Sequence, residues 1–172
     1  MPDPTPTPEL PTKPALLRVI GPAGAGKTYL ITLLIEELRP LGHFVATAAP
    51  RAFNQASEVA TVITISSGAR VTVEKALPPH ELTRLVASLD PRASLLLAES
   101  LDAPDLPYIE VLPGDEQSIN AAAGVPLATV HTSELAPGAL APLAQLIAQR
   151  LLGAPTPEQP HGFLARLFRG KN

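Results

Sequence analysis

The chain contains no cysteine, no tryptophan and only one methionine among its 172 residues. Without cysteine there is no disulfide, no thiolate zinc site and no cysteine nucleophile. Aromatic residues make up 3% of the chain, so a core must be built from Leu, Val, Ile and Ala. A basic excess is missing too. The formal net charge is −3 and the pI is about 5.8, whereas general nucleic-acid binding wants the opposite balance. No apolar run reaches the roughly 18 residues of a membrane span. The segment Met-Pro-Asp-Pro-Thr-Pro-Thr-Pro has neither the basic start nor the apolar stretch of a signal peptide. These absences lead to the expectation of a cytoplasmic protein with no nucleic-acid partner.

Proline is abundant instead, at 21 residues. Six fall in the first 14 positions and three in the 155–160 segment. Such runs cannot form helix or central strand. Residues 1–14 are therefore expected to be a disordered tail, and residues 154–161 a linker. Residues 15–153 remain for one domain, and a hydrophobic content of 45% suffices for a packed core.

Residues 21–28 read Gly-Pro-Ala-Gly-Ala-Gly-Lys-Thr, which fits the phosphate-loop (Walker A) pattern G-x-x-x-x-G-K-[ST] at every position. The apolar run Leu16–Ile20 precedes it. A helical pattern follows, with Leu30, Leu33, Leu34 and Leu38 on one face. Strand, glycine loop and helix are the context this motif needs. Gly21, Gly24 and Gly26 permit the bend, and Pro22, Ala23 and Ala25 add backbone between them. The bend turns successive N–H groups inward to form an anion nest, and the helix start adds its positive end. Lys27 is expected at the β- and γ-phosphates, the Thr28 hydroxyl on Mg²⁺, and Tyr29 beside the loop.

Strand and helix patterns alternate further on. Strands are expected at Phe44–Ala48, Val62–Ile65, Ala69–Val73, Leu95–Ala98, Tyr108–Leu112 and Val125–Val130. Helices are expected from Pro78 to Leu89 and from Pro137 to Leu152. Leu95-Leu96-Leu97-Ala98 is continuously apolar, the mark of a strand covered on both sides. The fold class is α/β, P-loop NTPase-like, with a mostly parallel sheet and helices on both faces. Ligands of such sheets bind at the carboxyl ends of the strands. Residues 49–57 are expected there as a loop.

Glu99 directly follows the buried apolar run. It has two readings: an acidic residue on the metal side of the phosphate site, or a solvated carboxylate at a strand end. Asp102 and Asp105 read more simply as turn residues. His131-Thr132-Ser133-Glu134 also has two readings, as base contacts or as a helix cap made by Thr132 or Ser133. In residues 162–172, Phe163, Leu164, Leu167 and Phe168 share a helical face beside Arg166, Arg169 and Lys171. This short basic amphipathic helix either docks on a protein or membrane surface or packs back on its own domain.

The stretch from Leu16 to Thr28, with Leu41-Gly42-His43-Phe44-Val45-Ala46-Thr47, Leu95-Leu96-Leu97-Ala98-Glu99-Ser100, Pro107–Leu112 and Val125–Val130, resembles the MobB family. These are adaptor proteins of molybdopterin-guanine dinucleotide biosynthesis. The resemblance implies a GTP-binding P-loop protein with Mg²⁺, a homodimer, slow GTP hydrolysis, and a MobA-like nucleotidyltransferase as partner. It implies phosphate and metal roles for residues 21–28 and the acidic metal-side role for Glu99. The chain departs from the family in lacking Lys and His at residues 48–54 and in carrying Ser100 where the family has glycine. The guanine signature Asn-Lys-x-Asp is absent, so GTP and ATP both stand. Two other functions compete. A small-molecule kinase needs lid arginines, for which Arg51, Arg70 and Arg92 are scattered. A non-catalytic binding protein would keep the loop as structure alone.

Overall fold

A computed structural model describes residues 13–53, 58–114, 124 and 126–153, and for residues 52, 53 and 58 the backbone alone. Of the expected tail at residues 1–14, residues 1–12 lie outside the described residues, while Lys13 is exposed and Pro14 buried; the expected linker and tail helix at residues 154–172 also lie outside them. Within them the elements run β1 (Ala15–Ile20), α1 (Lys27–Leu38), β2 (Phe44–Phe53), β3 (Glu58–Thr64), β4 (Arg70–Val73), α2 (Pro79–Leu89), β5 (Ala93–Glu99), β6 (Tyr108–Leu112), β7 (Pro126–His131), a single 3₁₀ turn (Thr132–Glu134) and α3 (Ala141–Leu151).

The strands form one seven-stranded sheet in the order β4-β3-β2-β5-β1-β6-β7. β2, β5, β1, β6 and β7 run parallel, while β3 and β4 are joined by antiparallel pairing. From β1 the chain first crosses over β5's place to β2, and later returns to β6 on the other side. The end of β1 is therefore a topological switch point, where two crossovers part and leave a crevice.

Alternation along the strands builds two cores. Leu17, Val19, Val45, Leu95, Leu97, Ile109 and Val111 face α1 and α3, whose Leu30, Leu34, Leu143 and Ile147 close that side. Ala46, Ala48, Leu96, Ala98 and Ile63 face Leu82 and Val86 of α2. The continuous apolar run of β5 is thus explained by burial on both faces, as expected. Pro79 stands in the first turn of α2, where a missing N–H costs nothing.

Two expectations about elements are corrected. Residues 49–53 continue β2, because Ala49–Phe53 pair antiparallel with β3 out to Glu58. Cross-strand bonds there satisfy a backbone that was expected to be loop. The last helix begins at Ala141 rather than near Pro137, since Gly138 takes a left-handed conformation at φ +79° and ends any helical run through 137.

Candidate phosphate-binding site

The 21–28 loop joins β1 to α1 at the switch point. Its first glycine is obligatory for space. A Cβ on Gly21 would lie 2.2 Å from the Val111 carbonyl oxygen of neighbouring β6, and its φ is +144°. Gly26 is pressed from the other side, with Leu135 Cδ1 2.9 Å from where a Cβ would stand. Strand β6 and the segment after β7 hold the loop between them.

Lys27 opens α1 and is buried. Its Nζ donates hydrogen bonds to the carbonyls of Gly21 (3.0 Å) and Pro22 (2.9 Å). The ammonium therefore folds back along its own loop, held by neutral acceptors that an anion can replace. One residue on, the Thr28 hydroxyl donates to Glu99 Oε2 at 3.0 Å. The 71 residues that separate them in sequence are spanned by tertiary structure: β1 pairs with β5, and Val19 lies level with Glu99. Hydroxyl and carboxylate are hard oxygen donors, the type Mg²⁺ takes, with phosphate oxygens and water completing its shell. Among the described residues no group of three or more His, Asp or Glu side chains forms a metal cage by itself. Tyr29 is 47% exposed beside the loop.

The His131–Glu134 segment divides its labour differently from expectation. The Thr132 hydroxyl makes no cap. It lies 2.9 Å from the Ala25 carbonyl in the loop and 3.1 Å from the Leu112 carbonyl, bridging β6 to the loop. Glu134 caps the turn instead, its Oε2 accepting from the His131 N–H at 2.7 Å. Beyond this turn a cavity of about 270 Å³ opens, lined by Val130, Ser133, Glu134, Ala139, Leu140 and Leu143.

Ser100 has φ +54°, the one described non-glycine residue in the left-handed region. Its N–H is held by the Val19 carbonyl at 3.0 Å. The chain must turn sharply out of β5 to leave Glu99 facing Thr28.

One charged cluster was not read from the sequence. Arg18, in the middle of β1, is buried, as is Glu110 on β6. The Arg18 guanidinium donates to the Leu106 carbonyl at 2.9 Å and lies 5.3 Å from the centre of the Tyr108 ring. Burial pulls its pKa down, opposed by the charges of Tyr108, Asp102 and Asp105. The signal was available: an arginine interrupts the apolar run Leu16–Ile20. The scattered arginines remain scattered. Arg92 stacks 4.7 Å from the Phe44 ring at the amino edge of the sheet, opposite the phosphate loop.

No family model matches this chain, and no curated protein matches it. Solved structures do. The structure described as molybdopterin-guanine biosynthesis protein B (mobB) aligns with a TM-score of 0.52 and 20% identity, over 78% of this chain and 98% of the other. The chain has a MobB-like fold. The crystal structure of Bacillus subtilis MobB aligns at a TM-score of 0.51 and 14% identity, over 81% of this chain and 99% of that one. The MobB-like fold agrees with the α/β, P-loop NTPase-like class expected from the alternating pattern. At these identities the likeness is one of fold, and the site stands on its own geometry. Among the described residues no helix is long and apolar enough to cross a membrane.

Proposed function

We propose that the chain is a P-loop protein of MobB type that binds GTP or ATP with Mg²⁺ and hydrolyses it slowly. The observation that carries this reading is the convergence of Lys27, Thr28 and Glu99 on one glycine loop at the switch point of the sheet. Backbone N–H groups of residues 21–28 hold the phosphates. Lys27 exchanges its two carbonyl partners for phosphate oxygens, a stronger charge-assisted contact. Thr28 and Glu99 hold the metal, which neutralises charge on the phosphates when bound. Slow turnover follows if the attacking water has few fixed partners. In this reading the base lies toward the cavity beside Ser133 and Glu134, and Thr132 keeps that cavity wall tied to the loop. The adaptor role, the homodimer and a MobA-like nucleotidyltransferase partner belong to the same proposal and rest on the fold and the sequence resemblance.

The kinase reading is weaker, because Arg92 is engaged with Phe44 at the opposite edge rather than in a lid. The test is a nucleotide panel with and without Mg²⁺, read by thermal shift. Ligand at 100 times its dissociation constant adds about 2.7 kcal/mol to stability. Lys27→Ala is expected to abolish that gain while the unliganded protein melts within a few degrees of wild type. Absence of any shift with either Mg-GTP or Mg-ATP would return the non-catalytic reading.

A further inference from the structure

The antiparallel extension of the sheet points to one more residue of the phosphate site. β5 pairs with β2 only as far as Ala48, opposite Ala98. β2 then runs on through Phe53, paired with β3 alone on that stretch. A two-stranded ribbon therefore projects beyond the carboxyl edge of the parallel sheet, the edge that carries the phosphate loop.

The register gives its position relative to the loop. Ala48, Ala98 and Arg18 form one row across β2, β5 and β1. Gly21 and Arg51 each lie three residues beyond that row, so Arg51 is level with the start of the loop. The two are separated by two strand spacings, roughly 10 Å. Alternation gives the side. Val45 packs with α1, and Ala46 and Ala48 pack with α2. The β2–β3 pairing has no register shift between Thr47 and Phe53. Arg51 is thus on the α1 face of the ribbon, the face from which the phosphate loop enters its helix. It is exposed. A guanidinium on a long flexible stem spans much of the gap between Arg51 and the loop.

We propose that Arg51 is the second phosphate-binding cation of this site and contacts the terminal phosphate of a bound triphosphate. The inference rests on the nucleotide reading above. A planar fork of donors suits phosphate oxygens, and a cation on the outermost phosphate distinguishes triphosphate from diphosphate. The ribbon then serves as an arm that carries this charge over the site. Its antiparallel pairing with β3 fixes the register and the face on which this charge is carried.

The test compares affinities of the full chain for Mg-GTP and Mg-GDP, and for Mg-ATP and Mg-ADP. Arg51→Ala is expected to weaken triphosphate binding about tenfold and diphosphate binding less than about twofold, with Arg51→Lys recovering part of the loss. Arg70→Ala is the matched control. Arg70 is exposed at the start of β4, on the outermost strand of the sheet and away from the loop, and its loss should move none of these affinities. Equal losses for tri- and diphosphate, or no loss at all, would overturn the role given to Arg51 while leaving nucleotide binding intact. Failure of the wild-type protein to bind any of these nucleotides would overturn both readings together.

Discussion

The β5-β1-β6-β7 side of the sheet and the β2-β3-β4 side satisfy the same backbone in different ways. On the first side every strand is parallel, and α1 and α3 pack on one face of it. The two ends of the phosphate loop are squeezed there, Gly21 against Val111 and Gly26 against Leu135, while Gly24 between them stands open. On the second side the strands pair antiparallel and are partly open, and a short turn joins β3 to β4. The turn at Gly68 has a left-handed glycine at φ +87°, with nothing within 4 Å of where a Cβ would stand. The site draws on both sides. The crowded side holds the loop still, and the open side is free to extend past the sheet edge. A phosphate cradle needs the first property and an arm over it needs the second.

The largest expected effect sharpens this contrast. Gly21→Ala puts a methyl 2.2 Å from the Val111 carbonyl oxygen, on a strand that is held by its pairing with β7. The expected loss is about 3 kcal/mol or more, read by chemical denaturation. Gly68→Ala meets only backbone strain, and should cost about 1 kcal/mol. Equal costs would mean that the two sides are equally tolerant, and the contrast would fall.

Asp90 gives the next test, on the open side. This buried carboxylate accepts from the Ser66 amide (3.1 Å), the Ser66 hydroxyl and the Arg92 amide (3.3 Å), tying the β3–β4 turn to the end of α2. Burial pushes its pKa up, but the Ser66 and Arg92 hydrogen bonds and the Arg92 charge outweigh that, so it sits below the usual carboxylate range. A lowered folded pKa means the ionised form stabilises the fold. That stability is fully present above the unfolded pKa of about 4 and is lost as pH falls through the folded value. Asp90→Ala should cost about 2 kcal/mol at pH 7. The gap to wild type should shrink as the pH is lowered below about 4, measured by denaturation at a series of pH values.

The smallest effect is a gain. Ser100 holds a left-handed backbone that costs a non-glycine residue about 1–2 kcal/mol. Ser100→Gly removes that cost and adds roughly 0.4–1 kcal/mol of unfolded-chain entropy. A net stabilisation of about 0.5 kcal/mol is expected, visible as a small rise in melting temperature. A fall would show that the Ser100 side chain contributes a contact worth more than the strain.

Much of this was legible beforehand because it is local. The motif at 21–28 needs only a short stretch and its flanks, and α1 begins at Lys27 and ends at Leu38 as its leucine spacing required. The double burial of β5 was written in the consecutive apolar residues Leu95 to Ala98. Glu99 was legible as a candidate on the same metal as Thr28, though not as its direct hydrogen-bond partner. The ribbon was not, because Ala49 to Phe53 include a proline and small residues with no strong strand pattern. Their pairing comes from β3, and Pro50 is tolerated opposite Thr61 on the arm. The bridge made by Thr132 was in neither of its two readings, base contact or cap, for a similar reason. Capping is the commoner local use of a threonine after a strand, whereas bridging Ala25 and Leu112 depends on β7 lying beside β6.

By itself the amino-acid order determined the periodicities, the glycine bend and the class of sheet, since each depends on residues within a few positions of one another. Only the tertiary structure decided which strand ends meet at the switch point. It placed Glu99 on Thr28, buried Arg18 beside Tyr108, and sent β2 past the edge with Arg51 on the α1 face. Those outcomes turn on strand order and register, which are set by how two apolar faces are jointly covered, and no short window of sequence contains that condition.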